Sequence, residues 1–227
     1  MGTIKRVNGG YAGEFNIDKD VIGEIENKEI FGKPFLSVYG DFKPRNYCES
    51  ILEKKIADGL YAYVRFETSD KVNKMISKDR GAINAKGTFI AKRECLEVLG
   101  IDEDTLFRQA ADTMSIRMKT FDEVLESMGI PKCMTGMMPP IYVLSSREEY
   151  GAGAIADKRV LENIRKDMGD FVIVPSSVHE VLIMPLKQVD DLKGLTMIIR
   201  EVNRTVISKT EWLSDDAYIF DGELHKA

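Results

Sequence analysis

The fold is decided between residues 141 and 204, which read IYVLSSREEY GAGAIADKRV LENIRKDMGD FVIVPSSVHE VLIMPLKQVD DLKGLTMIIR EVNR. Apolar runs, capping residues and chain breakers alternate along this stretch. Helices are predicted from Asp157 and from Asp190 or Asp191, because each aspartate can cap a helix and precedes an apolar stripe at helical spacing. Strands are predicted over 141–145, 153–156, 171–174 and 181–184.

The resulting order, ββαββα, is typical of an α+β module whose mixed or antiparallel sheet packs with helices. The runs FVIV (171–174) and VLIM (181–184) are apolar at every position, which predicts strands buried on both faces. A further strand is predicted at 218–220, where the sequence reads YIF.

Three parts are predicted along the chain. Residues 1–45 alternate glycine or proline with short apolar pieces, which predicts a smaller, strand-rich N-terminal part. Residues 46–131 predict a helical and mixed middle region. Residues 132–140 have breakers and no periodicity, so we interpret them as a linker to the C-terminal module, 141–227.

Within the middle region, a capping box predicts a helix at about 47–58 that ends at Gly59. The alternation of residues 61–67 predicts a strand. Apolar positions from Asp102 to Met118 keep 3- and 4-residue spacing, which predicts a long amphipathic helix. A second capping box, Thr120 with Glu123, predicts that a new helix begins there.

Composition is that of a folded globular protein, with 44% hydrophobic and 30% charged residues in a chain of 227. No apolar run approaches the ~20 residues of a membrane helix, and the N-terminus lacks the apolar core of a signal peptide, so we expect a cytoplasmic protein. Cys48, Cys95 and Cys133 form no C-x-x-C pair, which favours buried thiols over disulfides or zinc ligands. No metal site and no cofactor is predicted.

Charged residues are distributed unevenly along the chain. The net charge of −5 argues against nucleic-acid binding over the whole surface. Between Asp70 and Arg93, however, seven cations face only two aspartates. This basic region could bind a nucleic-acid backbone or an acidic partner. We favour a solvated surface, because no aromatic residues and no glycine-rich phosphate loop accompany the charge. The cations are Lys71, Lys74, Lys78, Arg80, Lys86, Lys92 and Arg93.

Ser176, Ser177, His179 and Glu180 form a hydroxyl, imidazole and carboxylate cluster between two predicted strands. Catalysis would need a serine hydroxyl beside an imidazole that a carboxylate orients. If these residues are extended, the Cα atoms of Ser177 and His179 lie ~6.6 Å apart and Glu180 points to the opposite face. We therefore favour a structural interpretation, in which the hydroxyls accept hydrogen bonds from turn amides; a binding pocket or a catalytic site remains an alternative.

Asn203 and Arg204 follow the last apolar stripe. Asparagine can end a helix and arginine favours a helix C-terminus, so helix capping explains both residues. The alternative is that Arg204 reaches Glu180 or an anionic ligand.

Four motifs occur in a characteristic order and spacing: VLSxR at 143–147, GAGAI at 151–155, VPSSVHEVLIMP at 174–185 and EVNRT at 201–205. Together they resemble an uncharacterised bacterial family, domain of unknown function 5688. The resemblance is strongest over about 141–220 and weak before residue 87. It implies a fold and a cytosolic bacterial setting, in genomes rich in mobile elements, but no activity and no catalytic residues.

The sequence favours a binding or regulatory module with no chemistry of its own, acting on an unidentified protein partner and not on a membrane. Because members of the family it resembles often occur in genomes rich in mobile elements, a host–element interaction stays open. Two alternatives stand beside it: a hydrolase using Ser177 and His179, and nucleic-acid binding through the basic region at 70–93.

Overall fold

The structure is a computed structural model that describes residues 5–7, 10–12, 27–40, 43–44, 47–74, 87–129 and 140–227. The fold is α+β, as the sequence predicted, and each strand pair with a defined register is antiparallel. Of the predicted linker, only residue 140 lies within the described residues. No helix among those residues has the length and apolar character needed to cross a membrane.

The helices are α1 Arg93–Leu99, α2 Glu103–Asp112, α3 Phe121–Ser127, α4 Lys158–Met168 and α5 Leu192–Thr205. The strands are β1 Lys5–Val7, β2 Gly10–Ala12, β3 Phe31–Tyr39, β4 Glu53–Ala57, β5 Leu60–Thr68, β6 Thr88–Ile90, β7 Arg117–Thr120, β8 Tyr142–Ser145, β9 Phe171–Val174, β10 Val181–Pro185, β11 Tyr218–Phe220 and β12 Leu224–Lys226. Short 3₁₀ helices occupy Asn27–Ile30, Gly151–Ala156 and Leu186–Gln188.

The chain divides into two compact units, each assembled from separate segments. Unit 1 comprises Met1–Phe35, Cys48–Leu52 and Tyr63–Thr113, and unit 2 comprises Leu36–Tyr47, Glu53–Ala62 and Met114–Ala227. Strands β3 and β5 contribute residues to both units. The three parts predicted from the sequence, bounded at 45, 131 and 141, stay a prediction.

Unit 1 contains the hairpin of β1 and β2 and the pairing of β5 with β6. The aromatic rings of Phe31, Phe66 and Phe89 pack together there, with centroids 4.8 to 5.5 Å apart. The carboxylate of Asp102 caps α2 by accepting a hydrogen bond from the Thr105 amide at 2.7 Å.

The prediction that the helix from Asp102 continues to Met118 was wrong. Helix α2 ends at Asp112, where the Thr113 hydroxyl donates to the carbonyl of Ala110 at 2.9 Å. Side-chain bonds of this kind satisfy the last carbonyls of a helix and favour its end. Met118 lies in β7 and is exposed, so the methionine stripe does not continue into the core.

The predicted helix at 47–58 was also wrong, because β4 and β5 form a hairpin in its place. Asp58 and Gly59 make the turn between them, and Gly59 has φ +74°, a conformation that glycine adopts without strain. An Asp-Gly pair between apolar runs is a hairpin signal, which we had interpreted as a helix end. Glu53 begins β4 and accepts a hydrogen bond from the Tyr39 hydroxyl at 2.5 Å. Burial and this carboxylate raise the pKa of Tyr39 far above its ordinary value.

Unit 2 is built on a six-stranded sheet with the order β12-β11-β9-β10-β8-β7. Strand β9 is buried along its whole length and β10 along nearly all of it, which confirms the expectation from their apolar sequences. Helix α5 packs on one face, where Val172, Val174, Met184, Ile199 and Ala217 form a core. On the opposite face the rings of Phe171 and Phe220 lie 5.4 Å apart.

The predicted strand at 153–156 is a 3₁₀ helix, so the module is not ββαββα. A Cβ atom on Gly153 would lie 1.9 Å from the carbonyl oxygen of Leu36, a backbone atom of β3. The small residues of this stretch therefore let two backbones come into direct contact, and the chain coils here instead of extending. The helix that follows begins after Asp157, as predicted, with the Asp157 carboxylate accepting from the Arg159 amide at 3.0 Å.

Candidate functional site

Three loops of unit 2 meet at one end of the strands of the six-stranded sheet. Strands β8 and β9 both run antiparallel to β10, so their C-terminal ends lie beside its N-terminal end. Strand β11 runs antiparallel to β9, so it begins beside the C-terminal end of β9. The loops 146–157, 175–180 and 206–217 therefore converge, and the second of them carries the Ser176 to Glu180 cluster.

Backbone hydrogen bonds join the three loops. The amide of Ala152 donates to the carbonyl of Val178 at 3.2 Å, and the amide of Val178 donates to the carbonyl of Glu211 at 2.9 Å. Within the first loop, the amide of Ser146 donates to the carbonyl of Gly151 at 2.9 Å. The loops form one bonded layer, which fixes the side chains that they carry.

His179 belongs to the middle one of these loops, with one ring nitrogen hydrogen-bonded and the other near a carboxylate. Its Nδ1 accepts a hydrogen bond from the backbone amide of Tyr150 at 3.2 Å. Its Nε2 lies 3.9 Å from Oε1 of Glu211. A neutral imidazole that accepts at Nδ1 carries its proton on Nε2, so that proton faces the carboxylate.

Tyr150 has an unusual backbone. Its φ of 58° makes it the one residue other than glycine with positive φ among the residues that the structure describes. A bulky residue adopts this conformation at a cost of ~1–3 kcal/mol and needs support from its surroundings. The bond to His179 and the ring contact with it, at 5.9 Å between centroids, provide that support.

The Ser177 hydroxyl closes a turn. Its Oγ accepts a hydrogen bond from the backbone amide of His179 at 3.1 Å, and the Ser177 amide donates to the carbonyl of Glu180 at 3.1 Å. A nucleophile would have to donate its proton to an imidazole nitrogen, but Nδ1 is bonded to Tyr150 and Nε2 faces Glu211. The geometry therefore does not support an attack by Ser177, and Ser176 and Glu180 flank the same turn.

Sequence reasoning singled out the serines and His179 but missed Tyr150 and Glu211, which contact the imidazole. Glu211 belongs to a loop that follows α5, and no spacing in the sequence connects it with His179. The positive φ of Tyr150 had no signal either, because aromatic residues rarely adopt it.

The capping interpretation of Asn203 was wrong. Asn203 lies inside α5 with 2% of its surface exposed, and its Nδ2 donates to the carbonyl of Ser214 at 2.8 Å and to Oδ1 of Asp215 at 3.0 Å. Arg204 is in the last turn of α5, exposed, and paired with Glu201 one turn earlier. The structure thus pairs Arg204 with Glu201 and not with Glu180.

The basic region at 70–93 is described only in part. Lys71 forms an ion pair with Glu29, and an Arg93 guanidinium nitrogen lies 3.9 Å from a carboxylate oxygen of Glu103. Lys74 is exposed. Lys78, Arg80 and Lys86 lie outside the described residues, so binding through this region stays a prediction.

Cys48 and Cys95 are free thiols and only partly buried, where we had expected buried ones; Cys133 lies outside the described residues. A hydrogen bond with Ser50 lowers the pKa of Cys48, whereas burial raises the pKa of Cys95. Within the described part of the chain, no three His, Cys, Asp or Glu side chains are grouped so that they could hold a metal ion.

We expect His179→Ala to cost about 1 kcal/mol, because it removes the acceptor of the Tyr150 amide. This corresponds to a fall of about 2–4 °C in the melting temperature of a chain of this size. Ser176→Ala is the matched control and should leave the melting temperature unchanged.

A fluorophosphonate probe should not label Ser177 in the unaltered protein. Labelling of Ser177 that disappears in His179→Ala would instead identify a nucleophile and its base.

Comparison with known families agrees with the resemblance seen in the sequence. Residues 73–222 match the model of a family described only as a family of unknown function, DUF5688. The match includes all three loops of the site. No curated protein and no solved structure matches the chain significantly.

Proposed function

The chain belongs to the family of unknown function DUF5688, and from its geometry we propose that it is a cytoplasmic bacterial module that binds another protein and carries out no chemistry itself. The observation that carries this proposal is an apolar stripe on the solvent side of α5. We define the α5 stripe as Ile198, Val202 and Val206.

The α5 stripe is exposed although its residues are apolar. Ile198 is 61% exposed, Val202 41% and Val206 73%. Ile198 and Val202 are one turn apart on α5, and Val206, the residue after the helix, continues their line. Val202 and Val206 follow Ile199 by three and seven residues, so they border the apolar side that Ile199 packs into the core. The apolar band of α5 is therefore wider than the part that the core covers, and its margin is exposed.

The size of the surface indicates what covers it. The stripe presents on the order of 300 Å² of apolar surface, within the range of the largest patch on a typical monomer, which is often functional. A stable complex buries about 800 Å² on each partner, so the stripe would be the centre of an interface and polar residues around it would form the rim. An amphipathic helix of the partner would cover the stripe with its apolar side and the rim with its polar flanks.

The net charge of α5 defines the partner further. The helix carries Lys193, Arg200 and Arg204 and one acid, Glu201, which leaves a net charge of +2. These cations lie on the side of α5 away from Val202, so they attract a partner through the electric field of the helix and not by contact within the stripe. Two α5 helices would repel each other. We therefore infer a partner helix that is apolar on one side and acidic at its flanks.

Val202→Glu should abolish this binding without unfolding the protein, because it places a negative charge in the centre of the stripe. We expect the dissociation constant to rise at least tenfold for a 20-residue amphipathic peptide with leucines on one side and glutamates at the flanks. Fluorescence anisotropy measures it. Met128→Glu is the matched control, since Met128 is 71% exposed and belongs to the end of α3, not to α5. Equal affinities of both variants, or equal binding of a lysine-flanked peptide, would contradict the proposal.

A photo-crosslinking amino acid at position 198, compared with one at position 128, identifies the occupant in cells. A crosslink to an acidic amphipathic helix of another protein supports the proposal. Crosslinks to nucleic acid, to lipid or to a second copy of the chain would refute it.

A further inference from the structure

We propose that the outer edge of β7 binds an extended acidic peptide segment as an additional strand of the six-stranded sheet. This surface is separate from the α5 stripe and does not depend on it.

Strand β7 is the last strand of its sheet. It pairs with β8 on one side, with Met118 opposite Leu144, and within the described ranges no strand lies on its other side. A strand in this position presents unpaired backbone groups that can pair with another chain. The opposite end of the sheet is formed by β12.

The register identifies which backbone groups are available. The amide of Phe121 donates to the carbonyl of Ile141 at 2.7 Å, so Lys119 and Arg117, at alternate positions, also direct their backbone groups to β8. Met118 consequently directs its N–H and C=O to the open edge, and Ile116 continues the alternation. The outward amide of Thr120 is already bonded to the Glu123 carboxylate at 2.7 Å. The available edge therefore extends from Ile116 to Met118.

The side chains along this edge alternate in character. Ile116 is 40% exposed and Met118 41% exposed on one side of the strand. Arg117 and Lys119 are exposed on the other side, and neither forms an ion pair with any residue that the structure describes. An incoming strand would meet apolar surface on one side and two unneutralised cations on the other.

This pattern disfavours a second copy of the chain and favours an acidic segment. Antiparallel pairing of two β7 strands about Met118 would place Arg117 of each copy opposite a Lys119, and like charges directly opposite each other destabilise a sheet. A segment in which glutamate or aspartate alternates with valine or isoleucine would neutralise the cations and cover Ile116 and Met118. Main-chain bonds to Met118 would give affinity, and the alternating side chains would give specificity.

A seven-residue peptide of alternating glutamate and valine tests the proposal against a peptide of alternating lysine and valine. We expect the glutamate peptide to slow hydrogen exchange of the Met118 amide at least tenfold. The Lys119 amide, already directed to β8, should not change. Absence of protection at Met118, or equal protection by both peptides, would overturn the proposal.

Two variants complete the test. Met118→Pro removes the outward donor but no bond to β8, so the sheet is retained and the peptide should bind at least tenfold more weakly. Arg117→Glu combined with Lys119→Glu should reverse the preference in favour of the lysine peptide. Lys74→Glu, in the basic region, and Val202→Glu, in the α5 stripe, are controls that should leave glutamate-peptide binding unchanged. Unaltered binding by the charge-reversed variant would overturn the proposal even if Met118→Pro fails to fold.

Discussion

Gly153→Ala is expected to destabilise unit 2 by about 3 kcal/mol, near the upper end of the cost of overpacking a core. The new Cβ would lie 1.9 Å from the carbonyl oxygen of Leu36 and 2.5 Å from its carbonyl carbon. Both are backbone atoms of β3 and cannot rotate away as a side chain could. The 3₁₀ helix or the strand must therefore shift, and the contact between them is lost.

Thermal denaturation measures this effect, and the expected fall in melting temperature is about 6–12 °C for a chain of this size. Gly129→Ala is the matched control, because Gly129 has φ +84° and no atom of the described residues lies within 4 Å of its missing Cβ. It should lower the free energy of unfolding by only about 1 kcal/mol, the penalty of alanine in a left-handed conformation. Equal losses for the two variants would show that the close contact of Gly153 with Leu36 does not contribute.

Elements with local signals were predicted well from the sequence. The capping box of Thr120 and Glu123 is present, with the Glu123 amide donating to the Thr120 hydroxyl at 3.2 Å. The start of α4 at Asp157 and the buried strands β9 and β10 also match the prediction. In each case, neighbouring residues determine both the hydrogen bonds and the apolar pattern, so a short window of sequence is sufficient.

Elements that depend on distant contacts were not predicted. The stretch at 151–156 has the composition of a buried strand, and it coils because Gly153 meets Leu36, far earlier in the chain. The same limit applies to the candidate site. The turn of Ser177 and His179 follows from adjacent residues, whereas Tyr150 and Glu211 reach the imidazole from two other loops. Contacts between loops leave no periodic pattern in a sequence.

Asn203→Leu is expected to lower the free energy of unfolding by about 2–3 kcal/mol, although it replaces a polar residue with an apolar one at a buried position. The Asn203 amide satisfies the buried carbonyl of Ser214 and bonds Asp215, and leaving a buried acceptor unsatisfied costs ~1–3 kcal/mol. The larger side chain must also fit into space that the amide occupied. The fall in melting temperature should be about 4–12 °C.

The position of Asn203 also predicts a local effect on hydrogen exchange. Its two bonds tie α5 to the loop 206–217, which carries Glu211 and the acceptor of the Val178 amide. Hydrogen exchange at Val178 should therefore accelerate in Asn203→Leu more than the loss of global stability accounts for. Glu201→Ala, on the exposed side of the same helix, should change neither the melting temperature nor this exchange rate.

Asn203→Gly separates the buried-anchor interpretation from the helix cap that the sequence suggested. At a helix C-cap, glycine would be neutral or stabilising, because it adopts the left-handed conformation readily. Inside α5, glycine removes the two bonds and adds about 1 kcal/mol of helix destabilisation, so this variant should be at least as unstable as Asn203→Leu. A melting temperature equal to that of the unaltered protein would show that Asn203 ends the helix and does not anchor the loop that holds Glu211 near His179.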